Sequence, residues 1–318
     1  MTGRGTQSWE NRIGRRLKLR DLHILSIVVQ CGSMAKAAAQ LGMSQPAVSE
    51  SVASMESTLG VRLLDRSARG VEPTLYAHAL LKRGHVVFDE LMQGVRDIEF
   101  LANPRVGEIR VAAGDTSAAG LLAPAIDRLA RRYPEIAVRV ITASEETLQY
   151  PELRDRRVDL ALARVSKDFA SRDLHADLLF DDPPRVVAGL RSPWARRRKL
   201  ALRELVDERW AFTSDEVIRG LVGEAFAAQG LAPPREKVGA ASMLLRSRLL
   251  ATGHYLTVLP ESVLRTNARS WGIKALPVRF ETRPMAVKII TLKDRTVSPL
   301  VQIFIDEVRT VARAFASR

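Results

Sequence analysis

The sequence predicts a protein of mixed α and β structure, in which a helical N-terminal part and one long helix precede a larger α/β region. Apolar residues repeat at helical spacing as far as about Phe100, and short apolar strands separated by helices follow after residue 107. The length of 318 residues suits two or three domains. A short hinge, residues 103–107, separates the two patterns.

The charge of the chain favours a partner rich in phosphate. The net charge is +13, and basic proteins bind nucleic acid largely through phosphate contacts. Ten Lys and Arg and six Asp and Glu residues precede residue 73, so this part carries +4 and the remaining +9 lies downstream. Charge therefore supports nucleic-acid binding without locating it.

Neither a transmembrane helix nor a secretory signal is expected. The sequence has no run of 18 or more apolar residues, and the polar stretch from Met1 to Arg16 lacks the apolar core of a signal peptide. A single cysteine, Cys31, excludes an internal disulfide framework. These features favour a cytoplasmic protein with no membrane partner.

Residues 33–59 have the pattern of two short helices joined by a tight turn. Ser33 can cap the first helix and Gly42 can end it, while Ser44 can cap the second helix, with Pro46 in its first turn. We expect the first helix to pack through a thin face formed by Ala35, Ala38 and Ala39. The second helix is expected to bury Val48, Val52, Met55 and Leu59.

The other face of the second helix carries short polar side chains, including Gln45, Ser49 and Glu50. A helix–turn–helix of this form places its second helix in the DNA major groove. Residues 61–74 then predict two short strands around a Gly-containing turn, which is a wing. The wing offers guanidinium groups for phosphate contacts, namely Arg62, Arg66 and Arg69.

A long helix follows the wing, since Thr74 can cap a helix that continues to about Phe100. Its apolar stripe is too long and too narrow for packing inside a small domain, and it fits pairing with a second copy of the same helix. The stripe consists of Ala77, Leu80, Leu81, Gly84, Val87, Phe88, Leu91, Val95 and Ile98.

The remainder of the sequence predicts an α/β region with a mainly parallel sheet. We expect two lobes in this region, with the chain crossing from one lobe to the other at residues 181–184. We expect strands at 109–113, 138–142, 158–163, 185–190, 210–213, 255–259, 274–278 and 286–292. Helices are expected at about 121–133, 148–156, 217–229, 242–252 and 298–315.

The chain resembles the LysR-type transcriptional regulators. In the DNA-binding part, the matching residues fall in the order and spacing of the family, and they are 32–34, 37–38, Leu41, 44–49, 55–56, 59–61 and 64–66. In the rest of the chain the match is looser, at residues 133–134, 158–161 and 253–260. Within the family, 34–36 and 70–76 look most like regulators near the galactose-binding-protein regulator group.

The resemblance implies a ligand-responsive transcriptional regulator with the following domains. It assigns 18–74 to a winged helix–turn–helix, 75–103 to a dimerising linker helix and 107–318 to a two-lobed effector domain similar to periplasmic binding proteins. The polar and basic composition of residues 1–17 itself predicts a disordered arm before these domains. Lobe I is expected at about 107–180 and 284–318, and lobe II at about 184–280. The implied partners are double-stranded DNA, a small-molecule effector between the lobes, a second copy in a homodimer or homotetramer, and RNA polymerase as a further candidate.

Nine residues are candidates for DNA contact: Ser33, Lys36, Ser44, Gln45, Pro46, Ser49, Glu50, Arg66 and Arg69. Gln can bond adenine at two positions, and Ser can bond a base or a phosphate. Many family members carry Arg or Lys just after the helix serine, whereas this chain has Glu50, so phosphate attraction must come from outside the helix. Glu50 can accept from cytosine N4 or point outward, and a solvated polar face is the alternative for the other residues.

Seven residues are candidates for the effector site: Asp115, Thr116, Ser117, Arg164, Thr213, Ser214 and His254. The first three open a helix, where hydroxyl and free N–H groups suit a carboxylate or phosphate, although ordinary capping explains them equally well. Arg164 ends a buried strand and can pair with an anionic ligand or form a surface salt bridge. We expect a small anionic or hydroxylated metabolite, with neither metal nor cofactor.

Enzyme activity has little support in the sequence. The five histidines have no metal-ligand spacing, and no P-loop, GxSxG elbow or dinucleotide fingerprint occurs. An architectural DNA-binding protein without effector and a solute-binding protein are the alternatives to a regulator. The absent signal segment and the helix–turn–helix pattern disfavour the second of these.

Overall fold

The computed structural model describes residues 16–67, 70–143, 150–214, 216–283 and 285–316. The chain divides into two compact units, the first ending at Met92 and the second beginning at Gln93. The predicted succession of a helix–turn–helix domain and a two-sheet α/β domain is confirmed. Within the described ranges, no helix is both long and apolar enough to cross a membrane.

The described residues of the first unit form three helices and a two-stranded sheet, followed by the start of a long helix. The helices are α1 (Leu19–Cys31), α2 (Met34–Leu41) and α3 (Gln45–Leu59), and the strands are β1 (Leu64–Ser67) and β2 (Gly70–Pro73). The predicted caps are confirmed, because the Ser33 hydroxyl accepts from Lys36 N and the Ser44 hydroxyl accepts from Ala47 N, each at 3.4 Å. Gly42 ends α2 in a left-handed conformation with φ of 63°.

The packing face of α2 differs from the predicted one. Ala37 and Ala38 are buried, whereas Ala35 and Ala39 are exposed. The buried face repeats at three and four residues from Met34, because α1 and α3 both lie against that side of the helix. In α3, the expected apolar residues pack as predicted, with Val48, Val52 and Met55 buried and Leu59 partly buried.

Backbone groups of the wing bond directly to the helical part of this unit. One carboxylate oxygen of Glu56 accepts from Leu63 N at 2.7 Å and from Leu64 N at 3.2 Å. Val71 N donates to Gly32 O at 3.0 Å. The neighbouring Gly70 has φ of 130°, and a Cβ there would lie 2.6 Å from the Gly32 carbonyl oxygen, so only glycine fits this approach.

Helix α4 (Leu75–Ala102) begins where the Thr74 hydroxyl accepts from Ala77 N at 3.3 Å. Its early residues pack in the first unit, since a Cβ added at Gly84 would overlap the side chain of Leu22. Farther along, an apolar face of α4 stays exposed in the single chain. It consists of Val87, Leu91, Met92, Val95, Ile98 and Leu101.

The second unit contains two five-stranded sheets, each defining one lobe. Lobe I has the strand order β4-β3-β5-β12-β6, and lobe II has the order β11-β7-β10-β8-β9. The lobe I strands are β3 (Gly107–Ala113), β4 (Ile136–Thr142), β5 (Leu160–Ser166), β6 (Leu174–Asp181) and β12 (Met285–Leu292). The lobe II strands are β7 (Pro184–Gly189), β8 (Trp210–Phe212), β9 (Glu236–Gly239), β10 (Leu256–Pro260) and β11 (Ile273–Ala275).

Helices cover these sheets. After β3 come a short turn, α5 (Asp115–Ser117), a π-helical segment (Ala118–Leu122) and α6 (Ala123–Arg132) without interruption. The remaining helices are α7 (Pro151–Arg154), α8 (Glu216–Ala227), α9 (Met243–Ala251), α10 (Glu261–Trp271) and α11 (Pro299–Ala316), with 3₁₀ turns at Pro193–Arg196 and Leu202–Leu205. Residues 148 and 149 of the helix predicted at 148–156 lie outside the described residues.

The prediction of a mainly parallel sheet is wrong. Among the described strands of this unit, four neighbouring pairs are parallel and four are antiparallel. The antiparallel pairs arise because the chain crosses between lobes twice, so that β12 returns to lobe I and inserts between β5 and β6. Strands β6 and β9 and helix α10 are elements that the sequence pattern does not predict.

Lobe II places α9 directly on strand β7. A Cβ added at Gly189 of β7 would overlap the backbone carbonyl of Leu250 in α9. This contact fixes the distance between the helix and the sheet, and no side chain larger than hydrogen fits between them.

We predict that Gly189→Ala lowers the free energy of unfolding by about 1–3 kcal/mol, since backbone atoms must move apart. The control is Gly220→Ala in α8, where an added Cβ meets no atom within 4 Å, and this change should be neutral or stabilising by up to about 1 kcal/mol. Urea unfolding followed by tryptophan fluorescence measures both, because three of the four tryptophans lie in the second unit. Equal stability of the two variants would contradict the packing argument.

Candidate functional site

The polar face of α3 is open to solvent. Gln45, Pro46 and Glu50 are exposed, and Ser49 is half-buried. The guanidinium of Arg66, on β1 of the wing, donates to the Ser49 hydroxyl at 3.4 Å. The structure therefore brings the second helix and the wing together at one surface, a contact that residue spacing alone did not reveal.

Positive charge on this domain lies outside α3. The helix from Gln45 to Leu59 contains no Lys or Arg, while the exposed cations Lys36, Arg62 and Arg66 flank it. Ser33 and Ser44 are engaged as caps of α2 and α3. Arg69 and residues 1–15 of the basic arm lie outside the described residues.

The second unit has a cavity of about 380 Å³ between its lobes. Lobe I contributes the turn after β3 and the end of β5, and lobe II contributes the ends of β8 and β10 and Arg246 of α9. Five of the seven predicted effector residues line this cavity, namely Asp115, Thr116, Arg164, Thr213 and Ser214.

The other two predicted effector residues, Ser117 and His254, do not line this cavity. Ser117 is buried, because consecutive helical residues point about 100° apart and cannot all face one cavity. His254 lies in the turn before β10, whereas Pro260 at the other end of that five-residue strand lines the cavity. His254 instead lines a separate pocket of about 300 Å³ with Trp194 and Arg209.

Arg164 belongs to a buried polar network at the crossing between the lobes. Its Nη2 donates to Asp182 O at 3.1 Å, and its Nε lies 3.3 Å from Asp182 Oδ2. The Asp182 carboxylate also accepts from Ser262 N at 2.9 Å and from the Ser262 hydroxyl at 2.7 Å. Arg164 thus forms a buried ion pair, with 3% of its side chain exposed, and not the surface salt bridge considered from the sequence.

Sequence reasoning missed Arg246, which lines the cavity from α9 and is 3% exposed. The sequence does contain one indication of this role, because Arg246 lies in a helix rich in leucine. An arginine on a buried helical face needs a polar partner or a ligand. Across the cavity, a carboxylate oxygen of Asp115 accepts from Met243 N, the first residue of α9, at 3.2 Å. The two lobes are therefore also joined by a hydrogen bond at the cavity.

The cavity is lined by polar and apolar groups of several kinds. Over the part of the chain that the structure describes, no three His, Cys, Asp or Glu side chains are grouped so that they could hold a metal ion. The cavity combines guanidinium, hydroxyl and carboxylate groups with apolar walls, and this is the composition of a site for a small polar organic molecule.

We predict that Asp182→Ala destabilises the second unit by about 3–5 kcal/mol, because it leaves the buried Arg164 guanidinium without its counter-charge. The neighbouring Asp181 pairs with Lys167 at 2.6 Å in a half-exposed position. Asp181→Ala is therefore the matched control and should cost less than about 1 kcal/mol. Urea unfolding at fixed protein concentration compares them, and similar losses would exclude a special role of the buried carboxylate.

Comparison with known families matches both units. The family described as the bacterial regulatory helix-turn-helix protein, lysR family, matches residues 19–78. The family described as the LysR substrate binding domain matches residues 102–313.

Similar proteins are regulators of the same type. GbpR of Azospirillum brasilense, a transcriptional regulator, is 27% identical over 288 residues, which cover 89% of this chain and 83% of GbpR. A full-length OxyR variant from Pseudomonas aeruginosa has the same fold, with a TM-score of 0.61 and 21% identity over 93% of this chain and 95% of OxyR. CbnR, solved in complex with its target DNA, gives a TM-score of 0.52 at 20% identity, covering 93% of this chain and all of CbnR.

These matches disfavour the two alternatives, an architectural DNA-binding protein without effector and a solute-binding protein. Both family models fall on the corresponding units of the structure, and together they span most of the chain. The chain belongs to the LysR-type transcriptional regulators and combines a DNA-binding helix–turn–helix domain with a substrate-binding effector domain.

Proposed function

We propose that this regulator reads DNA through α3 and the wing as a homodimer or homotetramer, and that a small anionic or hydroxylated effector between the lobes controls it. The observation that carries this proposal is the cavity lined by Arg164 and Arg246 in a chain whose helix–turn–helix domain exposes the polar face of α3. The protein acts in the cytoplasm without catalysing a reaction. RNA polymerase is a further candidate partner.

Base reading is assigned to α3. The exposed side chains of Gln45, Pro46 and Glu50 and the half-buried Ser49 hydroxyl support this role. Gln45 can donate to and accept from adenine, and the Glu50 carboxylate can accept from cytosine N4. Because Glu50 repels phosphate, a DNA contact through Glu50 requires its carboxylate to lie over the base edges and away from the DNA backbone.

Phosphate binding is assigned to the cations that flank α3. Arg66 is supported by its contact with Ser49, which holds the guanidinium beside the recognition helix. Lys36 and Arg69 are the other proposed phosphate contacts, while Ser33 and Ser44 present backbone N–H groups at helix N-termini, where a phosphate is favoured.

We predict that Arg66→Ala weakens binding to all DNA sequences and lowers the slope of log K against log salt by about one per bound subunit. Gln45→Ala should instead cost about 1–3 kcal/mol at one base position and leave the slope unchanged. Fluorescence anisotropy with a selected genomic fragment and with random DNA, at several salt concentrations, measures both.

Arg235→Ala is the control, since this exposed arginine lies in the effector domain and should change neither quantity. If Arg66→Ala lowered the affinity for DNA only at one operator base, the phosphate role would be contradicted.

Sequencing the genes beside the selected fragments names the regulated pathway and guides the choice of effectors.

The exposed apolar face of α4 supports self-association. Leu91, Val95 and Ile98 are each about half or more exposed in the single chain, and they follow one another at four and three residues. A stripe of this spacing is covered when two helices pair. Pairing places two recognition helices on two DNA half-sites, and two such dimers give the proposed tetramer.

We predict that the double substitution Leu91→Glu and Ile98→Glu lowers the oligomeric state, because each pair would bury four carboxylates in an apolar seam. Lys82→Glu is the control, since Lys82 is exposed on α4 away from this face, and it should keep the wild-type mass. Sedimentation equilibrium distinguishes the two, and an unchanged mass for the double variant would exclude α4 as the dimer contact.

Effector control is proposed to act through the two lobes. A ligand that binds one arrangement of the lobes more tightly shifts the population toward it. In the oligomer, such a shift alters the spacing of the DNA-binding domains and the bend of the DNA. Asp115, Thr116, Arg164, Thr213 and Ser214 are the proposed effector contacts, since all five line the cavity.

A further inference from the structure

The cavity between the lobes has a fixed arrangement of charges that restricts which effector can bind. This inference rests on the proposed effector control and concerns the chemistry of the ligand. We infer that the effector is a small carboxylate that carries a hydroxyl or ammonium group on a nearby carbon. Its carboxylate faces Arg164 and Arg246, and its donor group faces Asp115.

The need for an anionic group comes from Arg164. Arg164 is 4% exposed and lines the cavity, and its Nη2 donates to the backbone carbonyl oxygen of Asp182. Its buried Nε has no hydrogen-bond partner among the described residues, despite the short distance to the Asp182 carboxylate. A carboxylate in the cavity offers this side chain further acceptors in the paired geometry that a guanidinium prefers.

Thr116 gives an independent indication that the cavity binds a ligand with a polar group. Its hydroxyl oxygen is buried and has no hydrogen-bond partner within the part of the chain that the structure describes, although the residue lines the same cavity. Buried hydroxyl groups are nearly always hydrogen-bonded. A ligand oxygen between Thr116 and Arg164 would satisfy both side chains of lobe I at once.

Arg246 places a second guanidinium on the opposite wall. It lies on α9 three residues after Met243, so the two residues share a face of the helix about one turn apart. Met243 N is the group that binds the Asp115 carboxylate. Asp115, which is bound at Met243, and Arg246 therefore meet α9 about one turn apart, and both residues line the cavity.

Asp115 decides what the rest of the ligand can be. Its carboxylate oxygen Oδ2 accepts from Met243 N, and an ionised carboxylate has acceptor sites on both oxygens, so it can also accept from a ligand. A second carboxylate on the ligand would be repelled by Asp115. An unsubstituted acid would offer Asp115 no donor, whereas a hydroxyl or ammonium group donates to it.

The test uses four acids of four carbons each as probes of the full-length protein: 2-hydroxybutyrate, 2-aminobutyrate, butyrate and succinate. Thermal shift and isothermal titration at equal ionic strength give the affinities, since a ligand that binds only the folded state raises the Tm. We expect 2-hydroxybutyrate, 2-aminobutyrate or both to bind at least about tenfold more tightly than butyrate and succinate.

Two variants assign the groups. Asp115→Asn should remove the tenfold preference, because the amide cannot pair with an ammonium and accepts less strongly from a hydroxyl, while butyrate binding stays or improves. Arg246→Gln should abolish binding of all four acids. Asp127→Asn is the control, since Asp127 is an exposed residue of α6 in an i, i+4 pair with Arg131, and it should preserve every affinity.

The inference is overturned if butyrate or succinate binds as tightly as the substituted acids, if Asp115→Asn keeps the preference, or if no acid of the panel binds. A parallel screen of sugars, aromatic acids and phosphorylated metabolites separates this failure from a failure of effector control. If a compound of another class changes the affinity for DNA, effector control stands and only the ligand class is wrong. If no compound does, effector control itself is wrong.

Discussion

The effector domain depends on one buried carboxylate, that of Asp182, at the point where the chain crosses from one lobe to the other. It binds Arg164 of lobe I and both the N–H and the hydroxyl of Ser262 in lobe II. A carboxylate that is 1% exposed is tolerated only when charge and hydrogen bonds compensate for lost hydration. The compensation comes from both lobes, so their relative position at the crossing is set by polar geometry.

Other contacts between the lobes are also polar. Thr266 and Asn267 of α10 donate to the carbonyl oxygens of Gly120 and Ala119, each at 3.0 Å. These carbonyls belong to the π-helical segment of lobe I, and such segments are frequent at functional sites. Hydrogen bonds have narrow angular limits, so a change in the angle between the lobes would break these bonds. The bonds therefore stabilise the arrangement of the lobes that the structure shows.

The features that sequence predicts well here are those determined by neighbouring residues. The caps at Ser33 and Ser44, the length of α4 and the hairpin of the wing all follow from local patterns. The prediction of which face of α2 is buried is wrong, because the packing partners α1 and α3 determine that face and the spacing of the alanines does not. No local pattern encodes contacts between distant residues. Such contacts determine the order of the strands in each sheet, and they place Arg246 at the cavity and His254 away from it. The hinge at 181–184 was predicted, but the role of Asp182 requires Ser262, 80 residues away.

The absence of Lys and Arg from α3 has a consequence for how this regulator can change over evolution. If base contacts lie on α3 and phosphate contacts lie around it, a substitution on the helix alters the preferred operator with little effect on general affinity for DNA. The target sequence can then drift while the rate of search along the genome is preserved. A regulator with arginine on its recognition helix lacks this independence, because each such residue contributes to both properties.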